Sequence, residues 1–129
     1  MYSVLIVDDE PAILFIFRTL LEDAGFTVDT ASSAREALET MSERAFDVVV
    51  TDIRMETPSA GFDVLRFAKQ LPQQPLVVIV TAFPVPSREW QAAGADELMV
   101  KGADTRNLVT LLEHLLDERG STHNRAANE

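Results

Sequence analysis

Phe46-Asp47-Val48-Val49-Val50-Thr51-Asp52 is the stretch on which the fold turns. Three consecutive valines with no polar alternation predict a strand covered on both faces, the mark of a parallel sheet. Asp52 stands where that strand gives way to a loop. Open parallel sheets bind ligands outside the carboxyl ends of their strands, so a carboxylate there is well placed for chemistry. An aspartate after a strand is also a common turn residue, and the other strands must decide between the two readings.

Working outward, Val4-Leu5-Ile6-Val7 is a second uninterrupted apolar run and ends in Asp8-Asp9-Glu10. Leu76-Val77-Val78-Ile79-Val80 is a third and ends on Thr81. Leu98-Met99-Val100 is brief and ends on Lys101, and Phe26 to Thr30 reads as a further short strand. Helical patterns lie between them. Pro11 suits a first helical position, and Gly25 stops that helix near Ala24. Ile13, Ile16, Phe17, Leu20, Leu21 and Ala24 share its inward face, while Phe15 falls opposite, beside Arg18 and Glu22. Ser33-Ala34-Arg35-Glu36 matches a capping box, with Ala37, Leu38 and Met41 inward. A third helix is expected over about Phe62 to Leu71. Pro84 and Pro86 confine a fourth to roughly Ser87–Ala93. Asp104 caps a fifth that turns Leu108, Leu111, Leu112 and Leu115 inward. Strand and helix thus alternate five times, which predicts an α/β chain with a parallel sheet in a three-layer sandwich. The domain is expected over 1–119, and the polar, aperiodic 120–129 reads as a mobile tail.

A length of 129 residues suits one domain, and 47% hydrophobic with 25% charged residues is ordinary for a globular protein. The absence of cysteine excludes disulfides, thiolate metal sites and cysteine nucleophiles. Eleven basic against 21 acidic residues give a net charge of −10, which opposes binding to nucleic acid or to an anionic membrane. No apolar run approaches the roughly 20 residues of a membrane span. The start carries no basic region of a signal peptide, so a cytoplasmic location is expected.

In a parallel sheet, Asp8, Asp9, Asp52, Thr81 and Lys101 all lie along one edge. Three carboxylates in one pocket repel unless a cation neutralises them. All-oxygen ligation with few protein ligands suits Mg²⁺, often completed by a phosphate. Lys101 offers a point charge and Thr81 a hydroxyl donor for phosphoryl oxygens. A carboxylate can itself attack phosphorus to give an acyl phosphate, with catalysis resting on position and charge neutralisation.

With Asp8-Asp9, Asp52-Ile53-Arg54-Met55, Thr81-Ala82 and Gly94-Ala95-Asp96 leading to Lys101, the chain closely resembles the receiver domain of bacterial response regulators over residues 2 to 118. The resemblance implies a flavodoxin-like (βα)₅ fold with strand order 2-1-3-4-5. It implies phosphoryl transfer from the phosphohistidine of a histidine kinase or phosphotransfer protein to Asp52, self-catalysed rather than enzymatic toward a separate substrate. It also implies that Asp9, Asp52 and the Arg54 carbonyl ligate Mg²⁺ while Asp8 orients metal-bound water, and that Thr81 and Lys101 engage the phosphoryl group. Arg54 and Phe83 would flank the approach of hydrolytic water. Phe15 is a candidate kinase contact. Output is expected through an unidentified downstream protein, with homodimerisation on phosphorylation as a candidate and no direct contact with nucleic acid or membrane.

The pattern departs from the family at Leu98, where an aromatic residue usually stands, and at Gly102, usually proline. The loop after Asp52 also differs, with Pro58 in place of a proline directly after Met55. These departures leave one alternative, a receiver-fold adaptor or dimerisation module in which phosphorylation is weak or irrelevant. A phosphohydrolase of the haloacid dehalogenase class would want an aspartate at position 54. A flavin carrier would want a phosphate-cradling loop where Asp8-Asp9-Glu10 stands. His114 reads as a solvated helix residue. The chain is read as a single-domain regulator or as a receiver from a longer protein.

Overall fold

The computed structural model describes residues 2–82, 87–102 and 106–128. Along the chain these form β1 (Ser3–Val7), α1 (Pro11–Asp23), β2 (Thr27–Ala31), α2 (Ala34–Glu43), β3 (Val48–Thr51), α3 (Ala60–Gln70), β4 (Leu76–Thr81), α4 (Ser87–Ala92), β5 (Glu97–Val100) and α5 (Arg106–Asn128). The five strands make one parallel sheet in the order β2-β1-β3-β4-β5, the flavodoxin-like arrangement.

Apolar runs without alternation arise because both faces of this sheet are covered. Leu5, Val7, Val49, Val77 and Ile79 point to a core shared with Ala37 and Met41 of α2 and Val64, Leu65 and Ala68 of α3. Val4, Ile6, Val48, Val50, Val78 and Val80 point to the other, closed by Phe17 and Leu21 of α1 and Leu108, Leu112 and Leu116 of α5. Each strand therefore contributes alternate residues to two separate cores.

Helix ends follow local chemistry. Pro11 opens α1, and Gly25, at φ +99°, terminates it in the left-handed conformation that glycine tolerates. At α2, Ser33 accepts from the Glu36 N–H as a capping box requires, but the Glu36 carboxylate turns to the Ser32 N–H and hydroxyl rather than to Ser33. Half of the predicted box is formed.

Three expectations change. Ile16 is 42% exposed and Ala24 is also exposed, so the buried strip of α1 is narrower than the six-residue face and centres on Phe17 and Leu21. The short second strand starts and ends one residue later than expected. The fifth helix continues to Asn128 where an aperiodic tail was expected from residue 120. A glycine inside a helix costs about 1 kcal/mol relative to alanine without ending it, and Arg125, Ala126 and Ala127 are good helix formers. Asp104, the predicted cap of α5, lies outside the described residues. Among the described residues no helix is long and apolar enough to cross a membrane.

Candidate functional site

Sheet register brings the carboxylates together. Val7 pairs with Thr51, so Asp8 and Asp52 leave neighbouring strands side by side. The Asp52 N–H donates to the Val7 carbonyl at 3.0 Å, and the Asp8 N–H donates to the Ala31 carbonyl of β2 at 3.1 Å. On the other flank Thr81 pairs with Val100, and the Lys101 N–H donates to the Thr81 carbonyl at 2.7 Å. That bond anchors the lysine backbone at the end of β4 and lets its side chain reach back across the edge.

Lys101 Nζ lies 2.8 Å from Asp8 Oδ2 and 3.0 Å from Asp52 Oδ2, with Glu10 Oε1 further out at 3.5 Å. The remaining oxygens take backbone donors: Asp8 Oδ1 accepts from the Glu10 N–H at 2.9 Å, and Asp52 Oδ1 from the Ile53 N–H at 2.7 Å. Asp8 is 2% exposed and Asp52 7%. Burial raises the pKa of Asp8 and outweighs the opposing hydrogen bond from Lys101. Burial would lower the pKa of Lys101, but its hydrogen bonds and charge contacts with Asp8 and Asp52 raise it, so the ammonium stays charged. Among the described residues, the Lys101 ammonium thus bonds both buried carboxylates.

Asp8, Asp9 and Glu10 present carboxylate oxygens within 4.8 Å of one another, with Asp9 and Glu10 exposed. This all-oxygen set fits a hard divalent cation. Asp52 joins it through the shared ammonium of Lys101. Thr81, 1% exposed, closes the end of β4 beside the lysine.

Behind Asp52 the chain folds closely on itself. The Gly61 N–H donates to the Ile53 carbonyl at 2.8 Å, and a Cβ built on Gly61 would lie 2.0 Å from the Asp52 carbonyl oxygen. Only glycine admits this approach of helix start to strand end. The same loop reaches α2: both carboxylate oxygens of Glu56 accept from the Ala34 N–H, at 2.9 and 3.1 Å. Burial works to raise the pKa of Glu56, yet the backbone donors of Ala34, Glu56 and Arg35 together lower it.

Asp8, Asp52 and Lys101 are therefore in direct contact, Thr81 flanks them, and Asp9 stands at the exposed rim. Arg54 is exposed in the loop after Asp52, and Leu98 is half-buried against the core of α2 and α3. Phe83 lies outside the described residues. Phe15 is 71% exposed, on the polar face of α1. Glu10, Glu56 and Gly61 were not singled out from the sequence as site residues. A glycine in the first turn of a helix was the available signal for Gly61. For Glu10 the signal was its place in the acidic run Asp8-Asp9-Glu10, whereas Glu56 had none, because its partner Ala34 is distant in sequence.

The response regulator receiver domain family matches residues 4–113. The transcriptional regulatory protein ZraR of Escherichia coli O157:H7 is 36% identical over 116 residues, covering 88% of this chain and 26% of that protein. The alginate biosynthesis transcriptional regulatory protein AlgB of Pseudomonas aeruginosa is 37% identical over 130 residues, covering 89% of this chain and 29% of AlgB. The chain thus spans less than a third of the length of these relatives. The chemotaxis response regulator CheY4 of Vibrio cholerae superimposes with a TM-score of 0.81 at 30% identity, covering 88% of this chain and 98% of CheY4. TrrA of Thermotoga maritima, solved in complex with Mg²⁺-BeF, gives a TM-score of 0.79 at 29% identity, covering 89% of this chain and 99% of TrrA. With its sheet order, its strand-end residues and this match over most of its length, the chain belongs to the response regulator receiver domain family.

Proposed function

We propose that this chain accepts a phosphoryl group on Asp52 from the phosphohistidine of a sensor histidine kinase or phosphotransfer protein, and signals by protein contact. The observation that carries the reading is the position of Asp52: at the end of a fully buried central strand, within 3.0 Å of an ammonium that also bonds Asp8. In the reaction a carboxylate oxygen of Asp52 attacks phosphorus and forms the P–O bond. The P–N bond to imidazole breaks, and its electron pair stays on the ring nitrogen. Lys101 is within reach to neutralise oxygens transferred to Asp52, and the Thr81 hydroxyl adds a donor. Asp8, Asp9, Asp52 and the Arg54 carbonyl would hold Mg²⁺. When bound, that ion supplies charge neutralisation for phosphoryl transfer. The clustering of the Asp8, Asp9 and Glu10 carboxylates, with Asp8 and Asp52 sharing the Lys101 ammonium, supports this assignment, as does the Mg²⁺-BeF complex of TrrA.

Decay of the acyl phosphate requires in-line attack by water. Arg54 and Phe83 carry no group able to act as general base for it, which favours a slowly decaying phosphoprotein. The relatives named as transcriptional regulators make transcription the favoured output of the signalling route, reached through protein contact.

Intact-mass analysis after incubation with acetyl phosphate and Mg²⁺ tests the proposal. One added phosphoryl is expected, absent in Asp52→Asn and without Mg²⁺. Leu98, in place of the aromatic residue usual in the family, favours the second reading, an adaptor whose contacts ignore phosphorylation. An unmodified wild type that still binds its partner would select that reading.

A further inference from the structure

The first turn of α2 has four backbone N–H groups that its own helix cannot satisfy. Two local side chains serve it incompletely. Ser33 takes the Glu36 N–H, and the Glu36 carboxylate is drawn away to Ser32. The Ala34 and Arg35 N–H groups at the very start of the helix are left for another acceptor, and Glu56 supplies it. Glu56 comes from the loop after Asp52, 22 residues further along the chain.

This contact has a place in the site as well as in the helix. Residues 53–59 connect the end of β3 to the start of α3. At their beginning they are held by the Ile53 N–H on Asp52 Oδ1 and by the Gly61 N–H on the Ile53 carbonyl. At Glu56 they are held to α2. Arg54 and Met55 lie between these two held points, and the Met55 N–H donates to the Thr57 carbonyl at 3.1 Å. Just before α2, the Ala31 carbonyl accepts from the Asp8 N–H, so the body that Glu56 grips is itself bonded to Asp8.

We propose that Glu56 is a positioning residue. Its carboxylate clamps the loop after Asp52 to the start of α2, and so sets the distance between the Arg54 carbonyl and the Asp8-Asp9 carboxylates. The inference rests on the phosphoacceptor reading, because it takes that carbonyl as part of the cation site. It adds a residue outside the ligand set that determines how tightly the cation is held.

Mg²⁺ titration calorimetry on the intact chain tests it, with amide hydrogen exchange at Ala34 and Met55 as a second readout. Glu56→Ala should speed exchange at both amides and weaken Mg²⁺ binding about tenfold, the lower end of what orienting partners of metal ligands contribute. Glu56→Asp keeps the charge but is one methylene too short to reach α2, and should weaken binding as much. Glu56→Gln keeps an acceptor oxygen at the right reach and should recover most of the affinity. Glu36→Ala loosens the same helix start without touching the loop, and should bind Mg²⁺ as the wild type does.

Unchanged affinity in Glu56→Asp would overturn the proposal by reducing Glu56 to a distant charge. An equal loss in Glu36→Ala would overturn it by making the effect one of helix stability. Should Glu56→Ala fail to fold, the Asp and Gln variants carry the same decision. A wild type that binds no Mg²⁺, or binds it equally well as Asp9→Asn, would sink the phosphoacceptor reading and the clamp with it. Wild-type binding that depends on Asp9 but not on Glu56 would sink the clamp alone.

Discussion

The two edges of the sheet carry the same residue type to opposite ends. At the edge where the strands begin, Asp47 Oδ2 accepts from the Ser3 N–H and hydroxyl, at 2.8 and 3.2 Å. Asp96 Oδ2 accepts from the Val77 N–H and from Lys69 Nζ, at 2.8 and 2.7 Å. Each aspartate there staples one strand to another and leans on a backbone donor that cannot move away. At the edge where the strands finish, each of Asp8 and Asp52 spends one oxygen on a local backbone N–H and turns the other to Lys101. Those two oxygens share one ammonium on a flexible stem. A carboxylate held by fixed donors is architecture, whereas one held by a displaceable cation is open to exchange that cation for another.

The strongest way to break this contrast is to remove the two lysines separately. Lys101→Met leaves two buried carboxylates uncompensated and should cost about 3–5 kcal/mol in urea unfolding. Added Mg²⁺ should return part of that loss through binding to the folded state. Lys69→Met removes a partly exposed partner of Asp96, which keeps its Val77 bond, and should cost about 1 kcal/mol or less with no response to Mg²⁺. Equal costs, or Mg²⁺ rescue of the second variant, would erase the distinction. Gly61→Ala should follow, at about 2–3 kcal/mol, because its methyl group would press on the Asp52 carbonyl and force strand end and helix start apart. Acetyl phosphate labelling of this variant should slow together with its loss of stability. Asp47→Ala leaves the Ser3 N–H without its acceptor and should cost about 1–2 kcal/mol while labelling proceeds at the wild-type rate.

The smallest effect on stability belongs to Phe15, whose ring lies largely in solvent. Phe15→Ala should shift the unfolding free energy by less than about 0.5 kcal/mol. Transfer from the kinase should slow about tenfold, as loss of a contact aromatic implies, with acetyl phosphate labelling unchanged. Equal slowing from both donors would return Phe15 to the fold.

What could be read in advance divides along the same line. Strands covered on both faces announce themselves as unbroken runs, so the sheet and the residues that end each strand were legible from Val4–Val7, Val48–Val50 and Leu76–Val80. Asp8, Asp52 and Lys101 followed from topology alone, since parallel strands finish on one edge. The contacts among them did not, because which oxygen meets Lys101 depends on register and side-chain reach. Glu56 was illegible for a related reason: its partner is the Ala34 N–H, and no local pattern encodes a meeting across a loop, whereas Gly61 left a signal as a glycine in the first turn of a helix. On α1 the helical period was right but the width of the buried arc was not. Ile16 stands at the margin, and what covers a margin is decided by neighbouring helices. The polar, aperiodic composition from Gly120 onward misled, because a helix already running can continue through residues that bury no apolar face, here for about two more turns to Asn128.

One feature of the sheet sets the site's endurance. Lys101 follows β5, a four-residue strand at the sheet's edge, paired with β4 among the described residues and largely half-buried where the central strands are sealed. Proteins open in pieces, and the pieces with least burial open first, at a free energy well below that of global unfolding. Fraying of β5 would carry the ammonium away from Asp8 and Asp52 while β1, β3 and β4 stayed intact. Amides of Leu98 to Val100 should then exchange with solvent sooner than those of Val48 to Val50. The charge balance of the pocket would then follow the breathing of one short strand rather than the melting point of the domain.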